Sequence, residues 1–397
     1  MLERFYALDR FLVGQQDYWR FEPFFQSIER HLPWENTNPA LCDWLSQLSP
    51  SDITHYKTNL DSLIAQLSAY LPELDIMHQL TKLPSSTTQP IELARNIDTG
   101  IPGRKLAQII SMSEFVLAHH VGNEWLEWCS GKGFLGRILA SQTRQKVTSL
   151  EYDAELCQAG QELAKKYSLP MEFVQGDALS EQCLDLMNPG HHAVALHACG
   201  DLHVSLIRQA TLANIPAISI SPCCYHLSKE TSYQALSKPG KKSQLRLQRS
   251  ELRIPLQETV TGGERVKRHR MLEMTYRLGF DLILRTINKT SEYQPIPSIK
   301  KSALADGFPS FCRWASMVRD VDLTKVDFIA FEKLATERYW HMERLSLMQQ
   351  PFRRLIEIWL VLDKALYLEE NNYKTQLFEF CEKSITPRNL LLHAERR

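Results

Sequence analysis

Residues 123–151 hold the side chains best suited to chemistry. The stretch Glu127-Trp-Cys129-Ser-Gly131-Lys-Gly133-Phe-Leu-Gly136 puts three glycines where a chain leaving a short apolar strand must turn sharply and let a ligand approach its backbone. Phe134, Leu135, Ile138 and Leu139 then recur at helical spacing, so the turn opens a helix. Gly131-x-Gly133-x-x-Gly136 satisfies the dinucleotide fingerprint, but Glu127 argues for another ligand. A pyrophosphate seeks amides and a helix N-terminus, and an acid just ahead of the turn would repel it. S-adenosylmethionine (SAM) has no phosphate and carries a sulfonium and an ammonium, which an acid attracts. Glu151, 20 residues after Gly131, is placed to accept both hydroxyls of a ribose.

Such residues need a sheet to hold them. Apolar runs at Trp125–Cys129, Lys146–Glu151, Met171–Gln175, Ala193–His197 and Ala217–Ser221 alternate with helical patterns over 154–167, 179–187 and 202–213. That alternation predicts a parallel sheet covered on both faces, with ligands at the carboxyl ends of its strands. Asp177 follows the third run, His197-Ala-Cys199-Gly-Asp201 the fourth, and Cys223-Cys224-Tyr225-His226 the fifth. A strong helix over 352–370 and two late strands, 374–381 and 389–394, complete the pattern. The expected fold class is α/β: a Rossmann-like, seven-stranded sheet with a helical N-terminal domain and a helical insertion between strand 5 and the last helix. The expected domains are 1–95 (helical), 96–226 (ligand-binding core), 227–350 (insertion, the candidate substrate-recognition region) and 351–397 (last helix and closing hairpin).

A chain of 397 residues with 44% hydrophobic content is long enough for more than one core. Lys plus Arg and Asp plus Glu balance at 46 each, so net charge selects no partner. The distribution does: 238–270 carries ten basic residues against three acids, among them Lys241, Lys242 and Arg246. A basic insertion beside a ligand site is the footprint expected for RNA. Nine cysteines, an odd number that includes the adjacent Cys223 and Cys224, read as reduced thiols in a cytoplasmic protein. Charges break both Met1–Arg20 and Leu355–Leu368, so no membrane partner is expected.

With these motifs in order, residues 100–226 and 350–397 resemble class I SAM-dependent methyltransferases of the methyltransferase-like twenty-five type, and more distantly the tRNA acceptor-stem 2′-O-methyltransferase. The motifs that carry the likeness are His197-x-Cys199-Gly-Asp201, Cys223-Cys224-x-His226, the helix from Glu357 to Glu370, and Thr386-Pro-Arg388-Asn389. Cys129 stands where those methyltransferases usually have their first glycine. The resemblance implies SAM as cofactor, held by Glu127, Cys129, Gly131, Gly133, Glu151, Asp177 and His197, with Asp177 on the adenine amino group.

Transfer of a methyl group from a sulfonium is an in-line displacement that needs alignment and exclusion of water, and for a hydroxyl acceptor a base. His226 and His197 suit that base by residue type, Asp201 orients or accepts, and Tyr225 offers a stacking surface. Cys223, Cys224, Tyr225, Lys241, Lys242, Arg246 and Arg388 are the expected substrate contacts. No Cys-x-x-Cys spacing occurs, so the cysteines and histidines read as pocket wall, with no metal expected. The sequence therefore reads as a SAM-dependent methyltransferase acting on RNA. The alternatives are an acceptor that is protein or small molecule, or a scaffold that keeps the fold without catalysis.

Overall fold

The structure, a computed structural model, describes residues 1–86, 88–257 and 263–397. It divides into two compact units: one holds 1–14, the described part of 77–260, and 353–397; the other holds 15–76 and the described part of 261–352. The first unit contains β1 (Glu124–Trp128), β2 (Val147–Glu151), β3 (Met171–Gln175), β4 (His191–Cys199), β5 (Ala217–Cys223), β6 (Tyr373–Glu379) and β7 (Leu390–Arg396). Its main helices are α1 (Gly103–Ala118), α2 (Phe134–Thr143), α3 (Ala154–Lys166), α4 (Asp201–Leu212) and α5 (Phe352–Glu370).

The strand order is β3-β2-β1-β4-β5-β7-β6. The first five strands pair in parallel, and β7 runs antiparallel to both β5 and β6. This is the Rossmann-like, seven-stranded α/β sheet anticipated above. Helices on both faces explain the strand sequences: β5 is buried at every position, so it reads as a continuous apolar run. The core on the α1 side joins Phe115, Trp125, Ile138, Leu139, Val147 and Val194, all essentially inaccessible. The helix Leu2–Gly14 belongs to this unit, where Phe5 stacks on Trp359 of α5 at 5.3 Å.

The helical unit has its own core around Tyr276, Phe308 and Phe311. Its two long helices, Glu264–Asn288 and Phe328–Gln349, are joined by Arg338, which donates to Asp281 at 2.7 Å and to Ser27 at 3.1 Å. Both partners of that ion pair are buried, so removing Asp281 would strand the Arg338 charge, whereas Asp281 keeps a second partner in Arg285 at 3.0 Å.

Local geometry departs from the sequence reading in three places. β1 stops at Trp128 because Cys129 takes a left-handed backbone, φ 56°. The expected helix 179–187 is a short 3-10 turn, Glu181–Leu186, started by the Ser180 side chain accepting from the Gln182 amide. β4 runs on to Cys199 through an irregularity between Leu196 and Cys199, with His197 at φ 67°.

That irregular end of β4 is locked to the end of β5. The Gly200 amide donates to Cys223 O at 3.1 Å, the Asp201 amide to Leu227 O at 3.0 Å, and the Lys229 amide to Asp201 Oδ2 at 2.8 Å. Gly200 adopts φ 55°, and an added Cβ would sit 1.9 Å from Leu227 O. Gly200→Ala is therefore expected to cost at least about 3 kcal/mol. Gly131→Ala, also at positive φ but facing open space, should cost only about 1 kcal/mol. Urea-unfolding midpoints of the two variants check the ranking.

Candidate functional site

The turn after β1 is built from left-handed backbone at Cys129 (φ 56°), Gly131 (φ 59°) and Gly133 (φ 65°). The three glycines do different work. A side chain at Gly133 would strike the Phe173 ring, and one at Gly136 would meet Glu127 Oε2 at 2.5 Å, so both allow α2 to pack close to the sheet. An added Cβ at Gly131 would meet nothing within 4 Å. The left-handed turn thus carries a cradle of open space on its Gly131 side.

Glu151 closes the cradle. Its Oε2 accepts from the Gly131 amide at 2.8 Å, and its Oε1 accepts from the Tyr152 and Asp153 amides at 2.9 and 3.1 Å. A carboxylate offers roughly four acceptor positions, so one stays available on Oε2, the oxygen beside Gly131. Exposed Asp177 orients its loop by accepting from the Leu179 amide at 2.9 Å. Cys129 is surrounded by these groups: burial, followed by Glu151, Cys199, Cys183 and Asp177, pushes its thiol up to about 12. Of the sequence-selected residues, Cys129, Glu151 and Asp177 thus lie within electrostatic reach of one another, with Glu151 also bonded to Gly131.

Glu127 is turned another way. Its carboxylate is buried, accepts from Ser149 Oγ at 2.8 Å, and takes the first-turn amides of Gly136 and Leu135. It is fixed inside, beneath the start of α2, with Lys105 of α1 in electrostatic reach. Desolvation outweighs these hydrogen bonds and raises its pKa to about 7. Lys132 is exposed.

His197, next along the strand ends, donates from Nε2 to Gln108 Oε1 on α1. Burial, then Lys105 and Arg388, lower its pKa to about 4, so the ring is neutral at pH 7 and a weak base. His226 differs: its buried Nδ1 has no hydrogen-bond partner among the described residues. Burial and then Arg253 lower its pKa, which keeps it neutral and able to accept a proton. Asp201, at the start of α4, is occupied in holding the Lys229 amide.

Cys199, Cys223 and Cys224 come together. Cys199 and Cys223 are register partners on β4 and β5, with sulfurs 3.4 Å apart. Hydrogen bonding from Cys223, with help from Cys199 and Arg388, draws the Cys224 thiol down to about 6, while Cys223 is shifted upward. Arg388 is tied to the backbone carbonyl of Leu256.

Tyr225 is buried rather than open for stacking: it meets the His203 ring edge-on at 5.8 Å, and Lys364 Nζ lies 5.2 Å from its centroid. A cavity of about 580 Å³ opens there, lined by Asp201, His203, Arg208, Tyr225, Tyr233 and Lys364, without the glycine turn. Lys241, Lys242 and Arg246 are exposed and make no hydrogen bond to the strand ends among the described residues. Of the basic stretch 238–270, residues 258–262 lie outside the described residues.

Sequence reasoning missed Gln108, Ser149 and the adjacent pair Asp363 and Lys364. Asp363 accepts from Tyr233 Oη, the Leu236 and Ser237 amides and Ser237 Oγ at 2.6–3.0 Å, pinning the segment that follows β5. The signal was present, since two adjacent charges within an otherwise apolar helix face need partners.

A family model described as a methyltransferase domain matches residues 104–231, which hold all five parallel strands and the turns described above. Among solved structures, the chain is similar to TrmN from Thermus thermophilus, with 18% identity, TM-score 0.27, and coverage of 32% of this chain and 41% of that one. It is also similar to the Pyrococcus abyssi tRNA (uracil-54, C5)-methyltransferase in complex with S-adenosyl-L-homocysteine (16%, TM-score 0.24, 29% and 28%). A third is the PH0226 protein of Pyrococcus horikoshii (15%, TM-score 0.27, 32% and 61%). The chain spans less than two thirds of the length of each of these proteins. No helix among the described residues is long and apolar enough to cross a membrane.

Glu127 yields a pH test. Its folded pKa, about 7, lies above the ordinary 4.5, so the folded state holds a proton that the unfolded chain has released. Its stabilising contribution is full below pH 4.5 and is lost as pH rises through 7, a change of about 3 kcal/mol. Glu127→Gln should therefore gain stability relative to the parent by that order between about pH 5 and pH 8, read from urea-unfolding midpoints. A difference constant with pH would contradict the burial argument.

Proposed function

We propose that this protein is a SAM-dependent methyltransferase whose acceptor is RNA. The observation that carries the cofactor reading is the open cradle over Gly131 beside a free acceptor position on Glu151. When bound, SAM supplies a methyl group on a positively charged sulfur, which departs as a neutral thioether. Glu151 Oε2 would accept a ribose hydroxyl, and Asp177 would face the adenine amino group. Cys129 and Gly133 shape the turn. Glu127 acts from below, fixing the start of α2 so that the Gly131 amide and its neighbours keep their aim.

The acceptor's proton goes to His226. Its Nδ1 is unpartnered among the described residues and its ring is neutral at pH 7, whereas His197 is committed to Gln108 and is the weaker base. His197 and Asp201 are positioning residues in this reading. Cys223, Cys224, Tyr225 and Arg388 form the wall around the acceptor position.

The RNA reading is supported by charge. Lys241, Lys242 and Arg246 are exposed on the segment that Asp363 anchors, and an exposed basic segment would neutralise phosphates and release counterions.

Labelled methyl transfer from SAM to fractionated cell RNA, protein and metabolites tests the proposal, with Gly131→Arg as the blank. Label in RNA, absent from the blank, is expected; label in protein or metabolites moves the acceptor, and none in any fraction supports a scaffold. The rate should fall on acidification, in a limb that lies below the ordinary histidine range because burial and Arg253 lower the His226 pKa, and His226→Asn should remove that limb along with most of the activity. Replacing Lys241, Lys242 and Arg246 together by Ala should weaken RNA affinity and flatten its salt dependence by roughly 3 units of logarithmic slope or less, with SAM affinity unchanged.

A further inference from the structure

The ends of β4 and β5 bring three sulfurs to one point. The ligand atoms of Cys199, Cys223 and Cys224 all lie within 4.8 Å of one another, and among the described residues no other group of three His, Cys, Asp or Glu side chains is gathered in this way. We propose that Cys199, Cys223 and Cys224 bind one Zn²⁺ ion through their three sulfurs, leaving a fourth coordination position for water or for the methyl acceptor. This departs from the sequence reading, which expected no metal because no Cys-x-x-Cys spacing occurs. The fold supplies by backbone geometry what spacing does not.

Two backbone features do so. In an extended strand, consecutive side chains point to opposite faces, so Cys223 and Cys224 should not share a ligand. Cys224 instead takes φ 46°, a left-handed conformation that costs a non-glycine residue about 1 kcal/mol, and its sulfur joins that of Cys223. The irregularity in β4 between Leu196 and Cys199 sets Cys199 opposite Cys223. The Gly200 amide, bonded to Cys223 O, then locks the pair in register.

The dimensions suit the ion. Zinc–sulfur bonds of about 2.3 Å in a tetrahedral arrangement place sulfurs about 3.8 Å apart. The observed separations, 3.4 Å for Cys199 to Cys223 and at most 4.8 Å within the group, bracket that value. Sulfur donors select d¹⁰ soft or borderline cations over magnesium or calcium. A disulfide would use two of the three sulfurs and leave the third without a role. On binding, three sulfur–zinc bonds form and the thiol protons still present pass to solvent, so the site carries a net charge of −1, which Arg388 is close enough to offset. Three protein ligands with one open position is the coordination pattern of zinc sites that take part in reactions.

The test uses the full chain, purified under reducing conditions without chelator. Elemental analysis should find one zinc per chain, and Co²⁺ exchanged into the site should show the intense sulfur-to-cobalt charge-transfer absorption of thiolate ligation. Cys223→Ser and Cys224→Ser should each lose stoichiometric zinc, while Cys42→Ser, in the helical unit, retains it. Thermal unfolding of each variant shows that the loss is not misfolding; should Cys223→Ser fail to fold, Cys224→Ser carries the comparison. Zinc no higher than in buffer, zinc retained when all three cysteines are Ser, or a Cys199–Cys223 disulfide in peptide maps of the reduced preparation would each overturn the proposal. S-adenosylhomocysteine binding, measured on the same samples, separates this site from the SAM reading, since either can fail alone.

Discussion

The hydrogen bond from the Gly131 amide to Glu151 Oε2 is the interaction on which the rest of the site depends. It joins the turn after β1 to the end of β2, next to the Ser130 amide, which donates to Leu150 O at 2.9 Å. A hydrogen bond to a charged acceptor contributes about 1.5–3 kcal/mol, comparable to the left-handed strain stored at Cys129 together with the entropy of fixing the two glycines. Tyr152 and Asp153 add their amides to the same carboxylate, so Glu151 is oriented before any ligand arrives. Such preorganisation lowers the cost of binding, because the groups that meet the ligand are already ordered.

A second constraint lies beneath the first. Glu127 is a buried acid placed under the start of α2, between Ser149 and the amides of Leu135 and Gly136. It is costly to desolvate and in return sets the height of the helix above the sheet. Across the sheet, the lock between Gly200 and Cys223 and between Asp201 and Leu227 does the same for β4 and β5. The strand ends are therefore held by backbone hydrogen bonds and by the Glu127 and Asp201 carboxyl groups.

Much of this was legible in the sequence. Alternating apolar runs and helical patterns gave all seven strands to within a few residues, because the inner parallel strands are buried on both faces and each helix shows one apolar stripe. Glu151 and Gly131 were also legible, since their positions follow from a strand end and a turn. Contacts made at a distance were not. Glu127 looked like a ligand for a cation, but its orientation is set by Ser149, on a neighbouring strand, and by amides that exist only once α2 has formed. His197 looked like a base, yet Gln108, 89 residues earlier, claims its ring. Tyr225 looked like a stacking surface, and Lys364 of α5 covers it instead. The meeting of Cys199 with Cys223 and Cys224 needs strand register and a left-handed residue that no spacing rule announces.

The central claim is that the cradle over Gly131, closed by Glu151, holds the nucleoside of SAM. Isothermal titration of the full chain with S-adenosylhomocysteine, alongside NAD and a Glu151→Gln variant, tests it most directly. The expected result is saturable binding of S-adenosylhomocysteine, no binding of NAD, and a loss of about tenfold or more in the variant, the worth of one hydrogen bond to a charged acceptor. Binding of NAD alone, or S-adenosylhomocysteine binding indifferent to Glu151, would contradict it.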